Sequence, residues 1–137
     1  MTYNKKYTID TMVELLKTPS PSGDTKKAIN LVDEHFKKLN IKTKRTLKNA
    51  LIATIEGEDD SKHRTLSAHV DTLGAMVKEI KSDGKLKLSQ IGGYAWSTIE
   101  GEYCTISTHD NGEYSGTILL DKASTHVFGT KVNETIR

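Results

Sequence analysis

His69 and Asp71 stand two residues apart in the segment Ser67-Ala68-His69-Val70-Asp71-Thr72-Leu73-Gly74. An imidazole and a carboxylate at that spacing can share a metal. The ring nitrogen serves as ligand, and the carboxylate as a second ligand or as the acceptor that orients the ring. On a strand, residues i and i+2 project to the same side, so the two side chains can converge. The apolar-leaning run Thr65-Leu66-Ser67-Ala68 predicts a strand over 64–70 that ends near His69. Open α/β sheets place their ligands outside that end of the strands. The same residues suit a structural strand that runs into a polar turn, and the spacing alone leaves both readings open. A metal site needs further protein ligands, and the chain contains neither HExxH nor CxxC.

Other residues capable of chemistry have plainer readings. His35 falls on the apolar face of a predicted helix, which suits packing. His63 lies in the charged stretch Glu56 to Arg64, where solvation is the simplest role. His109 and His126 fall in β-patterned segments. Asp110 directly follows His109, but neighbours on a strand point to opposite faces. The acidic loop 56–60 holds Glu56, Glu58, Asp59 and Asp60. Paired carboxyl groups perform acid–base work in glycosidases, but raising a carboxyl pKa requires burial that a charged loop does not provide. Gly92 and Gly93 lack a strand–GxGxxG–helix context, and neither Ser20 nor Ser22 sits in a G-x-S-x-G elbow.

The elements that must position these groups change character along the chain. Met12, Val13, Leu15 and Leu16 predict a helix over 8–18 with Thr8 or Asp10 as N-cap. Pro19-Ser20-Pro21-Ser22-Gly23 ends it, because proline lacks the N–H donor. Ala28, Leu31, Val32, His35, Phe36 and Leu39 predict a second helix over 24–39, with Asn40 as its stop. Strand-like patterns then cover 41–47, 51–57, 64–70, 75–82 and 85–92, the last two joined by a turn at Ser82-Asp83-Gly84. Further β pattern covers 102–110, 112–121 and 126–132, punctuated by glycines at 92, 93, 101, 112, 116 and 129. The composition breaks near residue 72, with α/β character before it and strands alone after it.

The 137 residues are 35% apolar and 28% charged, which predicts a soluble globular chain. No run approaches the ~20 apolar residues of a membrane span. The lone Cys104 suits a reducing compartment, and cytoplasmic is the expected location. A net charge of +2 gives no reason to expect a nucleic-acid partner. The basic run over 37–48 carries no aromatic residues for base stacking, and predicts a solvated helix end followed by an exposed strand.

Taken in order, Leu15–Gly23, Lys48–Gly57, Leu66–Ile80, Asp83–Gly93 and Gly112–Ile118 resemble the N-terminal part of the glutamyl-aminopeptidase and deblocking-aminopeptidase family. These are dinuclear metallopeptidases that build large tetrahedral shells, and some carry the historical label of cellulase or endoglucanase. The resemblance runs from about residue 10 to the end. It implies an α/β fold, with residues 1–72 forming part of a catalytic domain (two helices and about three strands). Residues 73–137 would then begin an inserted all-β lid, PDZ-like or a small barrel. It further implies two divalent ions, zinc or cobalt, with His69 as a ligand to one of them and Asp71 as the catalytic carboxylate that orients that site.

The family's other ligands and its general base lie beyond its lid, and the ending Gly129–Arg137 reads as cut rather than finished. The expectation is therefore an N-terminal fragment, inactive alone, of an oligomeric enzyme that removes N-terminal residues from peptides. Two other readings stand beside it. One is a β module that binds peptides without chemistry by adding them to a sheet edge. The other is a glycoside hydrolase, which would need two buried carboxyl groups.

Overall fold

Helix α1 (Lys5–Lys17) and helix α2 (Lys26–Lys38) open the chain, and small antiparallel hairpins follow. The computed structural model describes residues 3–59, 61–110 and 112–134. α1 begins three residues before the expected start, because Asn4 caps it in place of Thr8 or Asp10. The Asn4 side chain accepts from the Tyr7 amide at 3.0 Å. Thr8 and Asp10 instead lie within the helix, Thr8 donating to the Asn4 carbonyl at 3.1 Å and Asp10 pairing with Lys6.

α2 ends where Asn40 predicts. Asn40 takes a left-handed φ of +59°, the Asn40 amide reaches the Lys37 carbonyl at 2.9 Å, and the Ile41 amide reaches Phe36 at 2.9 Å. That paired closure is a Schellman cap, in which asparagine tolerates the conformation that glycine usually supplies. The two helices face each other through half-buried Leu15, Val32 and Phe36. His35 bridges them, with Nδ1 3.1 Å from the Tyr7 hydroxyl and Nε2 3.0 Å from the Glu14 carboxylate.

Strands β1 (Thr43–Arg45) and β2 (Leu51–Ala53) pair antiparallel with Lys44 opposite Ile52. Both are shorter than their predicted runs. The turn between them is closed by the Thr46 amide on the Ala50 carbonyl at 2.9 Å, with Asn49 at φ +64°. β3 (Gly74–Ile80) and β4 (Leu86–Ile91) form the hairpin expected around Asp83-Gly84. Gly84 takes φ +81°, and its amide donates to Lys81 at 3.0 Å. β5 (Tyr103–Ser107) and β6 (Glu113–Thr117) form the third hairpin.

Two predicted strands are not strands. Residues 63–70 run without regular structure, because a strand exists only where a neighbour takes up its backbone groups and no described segment does so here. Residues 126–132 are helical instead. Ser124 occupies an N-cap position, α3 spans Thr125–Phe128, and a 3-10 helix continues over Gly129–Glu134. The Phe128 amide bonds the Ser124 carbonyl at 2.9 Å, so local turn closure overrides the β-branched pattern.

The chain divides into two compact units, Met1–Gly93 and Tyr94–Arg137. The β3–β4 hairpin thus belongs with the helices, and this division does not coincide with the composition break at 72. Among the described residues, no helix is long and apolar enough to cross a membrane.

Burial in the first unit centres on α2, where Ala28 is 1% exposed and Asp33 is 9% exposed. Asp33 fastens α2 to β1. It pairs with Lys37 at 2.9 Å, accepts from the Thr43 hydroxyl, and lies 3.6 Å from the Arg45 guanidinium. Arg45 also donates to Asn30 at 2.7 Å. Two members of the basic run are therefore structural partners rather than free surface charge. The bonds from Lys37 and then Thr43 hold the Asp33 carboxyl below its ordinary range. A carboxyl whose pKa falls on folding stabilises the fold above its unfolded pKa, and loses that effect as pH drops through the folded value. Asp33→Asn should lower the urea midpoint at neutral pH, and the gap from the parent should close as pH falls through the folded pKa of Asp33, where both states bind the proton. An undiminished gap in acid would assign the loss to packing instead.

Candidate functional site

The segment carrying His69 and Asp71 is held by the Pro19–Gly23 loop. The Thr72 amide donates to the Ser20 carbonyl at 2.7 Å, and Pro21 forms a parallel bridge with Thr72. The loop then turns sharply. The Asp24 amide reaches the Pro21 carbonyl at 2.8 Å, and Gly23 occupies the third position of that turn at φ +97°. Ser22, at the second position, is thereby placed beside Asp71.

The resulting contacts form a short chain of three side chains. The Ser22 hydroxyl donates to Asp71 Oδ2 at 2.6 Å, and Asp71 Oδ1 lies 2.7 Å from His69 Nδ1. The expected convergence of His69 and Asp71 is thus present, although the segment is not a strand. The Ser22 bond first, and the His69 bond second, hold the Asp71 carboxyl below its usual range. An ionised carboxylate only accepts, so His69 Nδ1 carries the hydrogen in that bond. In the neutral ring, Nε2 is then left as the basic nitrogen. The His69 side chain is 84% exposed and that of Asp71 42%.

This donor set fits one corner of a metal site. A histidine whose inner nitrogen is bonded to a carboxylate and whose outer nitrogen is free is the usual form of a metal-ligating imidazole. Among the described residues, no group of three or more His, Cys, Asp and Glu gathers to complete such a site. Beside this corner lies an open cleft of about 590 Å³. Residues 69–72 form one wall, and the apolar flank of α1 with Met12, Leu15 and Leu16 forms the other.

The remaining candidates are scattered. His63, His109 and His126 are exposed. His109 and Asp110 lie in the turn after β5 rather than on a strand, and Asp110 accepts from Thr108. In the acidic loop, Asp59 accepts from the Ser61 amide at 2.8 Å while Glu56 and Glu58 are exposed. Asp60 lies outside the described residues. Asp33 is the one buried carboxylate among the described residues, so a glycosidase-like pair has no second member there. The link between Ser22 and Asp71 has no sequence signal, because 49 residues separate them.

Comparison with known proteins matches residues 49–136 to the M42 glutamyl aminopeptidase family. A Bacillus subtilis (strain 168) protein named "Putative aminopeptidase YhfE" is 50% identical over 121 residues, covering 88% of this chain. The chain spans about a third of that relative's length, 35%.

Close approach of the loop depends on Gly74, where an added Cβ would lie 2.8 Å from Pro21 Cβ. Gly74→Val should therefore push the loop away at a cost of about 1–3 kcal/mol. Hydrogen exchange at the Thr72 amide would report it as lost protection, and retained protection would refute the dependence on Gly74. Ser20 is fully buried, and its hydroxyl has no hydrogen-bond partner among the described residues. Ser20→Ala should therefore be neutral or slightly stabilising in urea, since only the backbone carbonyl is used. A loss above about 1 kcal/mol would reveal a partner for the hydroxyl.

Proposed function

The chain belongs to the M42 glutamyl aminopeptidase family, and on that premise we propose that it is the N-terminal part of a dinuclear metal-dependent aminopeptidase. Residues 1–72 contribute to an α/β catalytic domain, and residues 73–137 begin an inserted β lid, PDZ-like or a small barrel. The substrate is the N-terminal residue of a peptide. The complete enzyme assembles as a large homo-oligomeric shell in the cytoplasm, where the free Cys104 meets a reducing environment.

The observation that carries this reading is the 2.7 Å contact between Asp71 and His69 Nδ1, which leaves Nε2 as the ligating nitrogen. When bound, zinc or cobalt ions would supply Lewis acidity toward the scissile carbonyl and lower the pKa of bound water toward neutrality. His69 holds one ligand position. Asp71 fixes the ring and would stabilise the positive charge that a bound metal draws onto it. The cleft between α1 and residues 69–72 offers apolar surface next to that position.

One imidazole and one carboxylate do not make a two-ion site, so the 137-residue chain should show no turnover of leucine- or glutamate-p-nitroanilide with added cobalt or zinc. Robust turnover abolished by His69→Ala would overturn the view that the catalytic machinery extends beyond this chain. Calorimetric titration with cobalt should give weak binding that His69→Ala removes. Equal heats from parent and variant would remove His69 from the site and favour metal-free peptide capture by the β half.

A further inference from the structure

We propose that Ser22 is a positioning residue, whose hydroxyl fixes the Asp71 carboxylate so that the His69 ring is held with Nδ1 inward and Nε2 outward. The functional consequence rests on reading His69 as a metal ligand; the relay itself is a property of the bare chain.

Asp71 lies on a segment without regular structure, and its side chain is 42% exposed. One bond to a His69 ring that is itself 84% exposed would leave both groups free to rotate. Something must hold the carboxylate from its other side. Ser22 does so at 2.6 Å on Oδ2, the oxygen that His69 does not use. With each oxygen assigned to a different donor, rotation of the carboxylate breaks at least one bond.

Ser22 can serve as the fixed point because its own backbone is restrained on both sides. On one side stands Pro21, with its ring-limited φ and its bridge to Thr72. On the other is the turn closed by the Asp24 amide, with Gly23 at φ +97°. The loop and the His–Asp segment are joined backbone to backbone at Thr72, one residue from Asp71. Ser22 therefore transmits the rigidity of that junction to the imidazole. A nucleophilic role fits less well, since its hydroxyl hydrogen is committed to Asp71 Oδ2.

The test reads the His69 tautomer in the metal-free chain by 15N ring spectra, at about pH 8.5, well above the ordinary histidine pKa of ~6.5. The parent should show the Nδ1–H form. Ser22→Ala should shift the ring toward the mixed tautomers of an unheld imidazole. Ser22→Thr, which keeps the hydroxyl, should hold the ring, whereas Ser22→Val, of the same shape without the donor, should release it. If the threonine and valine variants behave alike, or Ser22→Ala matches the parent, the proposal fails.

Cobalt titration separates this result from the metal reading. Loss of the positioning bond should weaken binding about 10- to 100-fold, the range seen for groups that orient a ligand. A tautomer shift with no His69-dependent cobalt binding would retain the relay and overturn the ligand. Cobalt binding that depends on His69 but is indifferent to Ser22→Ala would do the reverse.

Discussion

One backbone hydrogen bond, from the Thr72 amide to the Ser20 carbonyl, sets the geometry of everything around His69. With the Ser22–Asp71 bond and the Pro21–Thr72 bridge beside it, it joins two segments far apart in the chain. The first is a proline-bracketed loop after α1; the second is an irregular run leading into β3. The surrounding sequence serves that junction. Gly74 leaves room for Pro21, and Gly23 lets the loop turn back. Ser20 is buried at the junction, and its hydroxyl has no partner among the described residues. A buried hydroxyl without a bond is unfavourable, and the contacts of the junction outweigh it.

The helices are secured in a different manner. Leu16 is 73% exposed and Met12 51% exposed, so α1 buries little of its apolar flank. Directional contacts carry more of the definition. His35 reaches Tyr7 and Glu14 across the helix pair, and Asp33 gathers Lys37, Thr43 and Arg45. Such bonds specify orientation well but add modest net stability each, about 0.5–1.5 kcal/mol. This unit is therefore better defined in geometry than in burial.

Much of the secondary structure was legible in the sequence. The 3–4 spacing of Ala28, Leu31, Val32 and Phe36 marks α2, and Asp83-Gly84 marks the β3–β4 turn, because both signals are local. Strand 64–70 misled because an alternating pattern states what a strand would bury, not whether a neighbour exists to pair with it. Residues 126–132 misled because a backbone bond, from the Phe128 amide to the Ser124 carbonyl, closes a helical turn that the β-branched pattern does not reveal. The His69–Asp71 contact was legible from spacing, though it forms without the strand invoked to explain it. Ser22 was not, since no periodicity connects residues so far apart in the chain.

The junction also has a consequence for chain length. Fifty-one residues, 21–71, lie between its two halves, and the entropy of closing a loop grows only logarithmically. Doubling such a loop adds about 0.6 kcal/mol. The exposed stretch from Gly57 to Ala68 carries no regular secondary structure among its described residues. At that rate, lengthening the stretch costs the junction little closure entropy, so the corner around His69 is insensitive to the length of chain that separates its two halves.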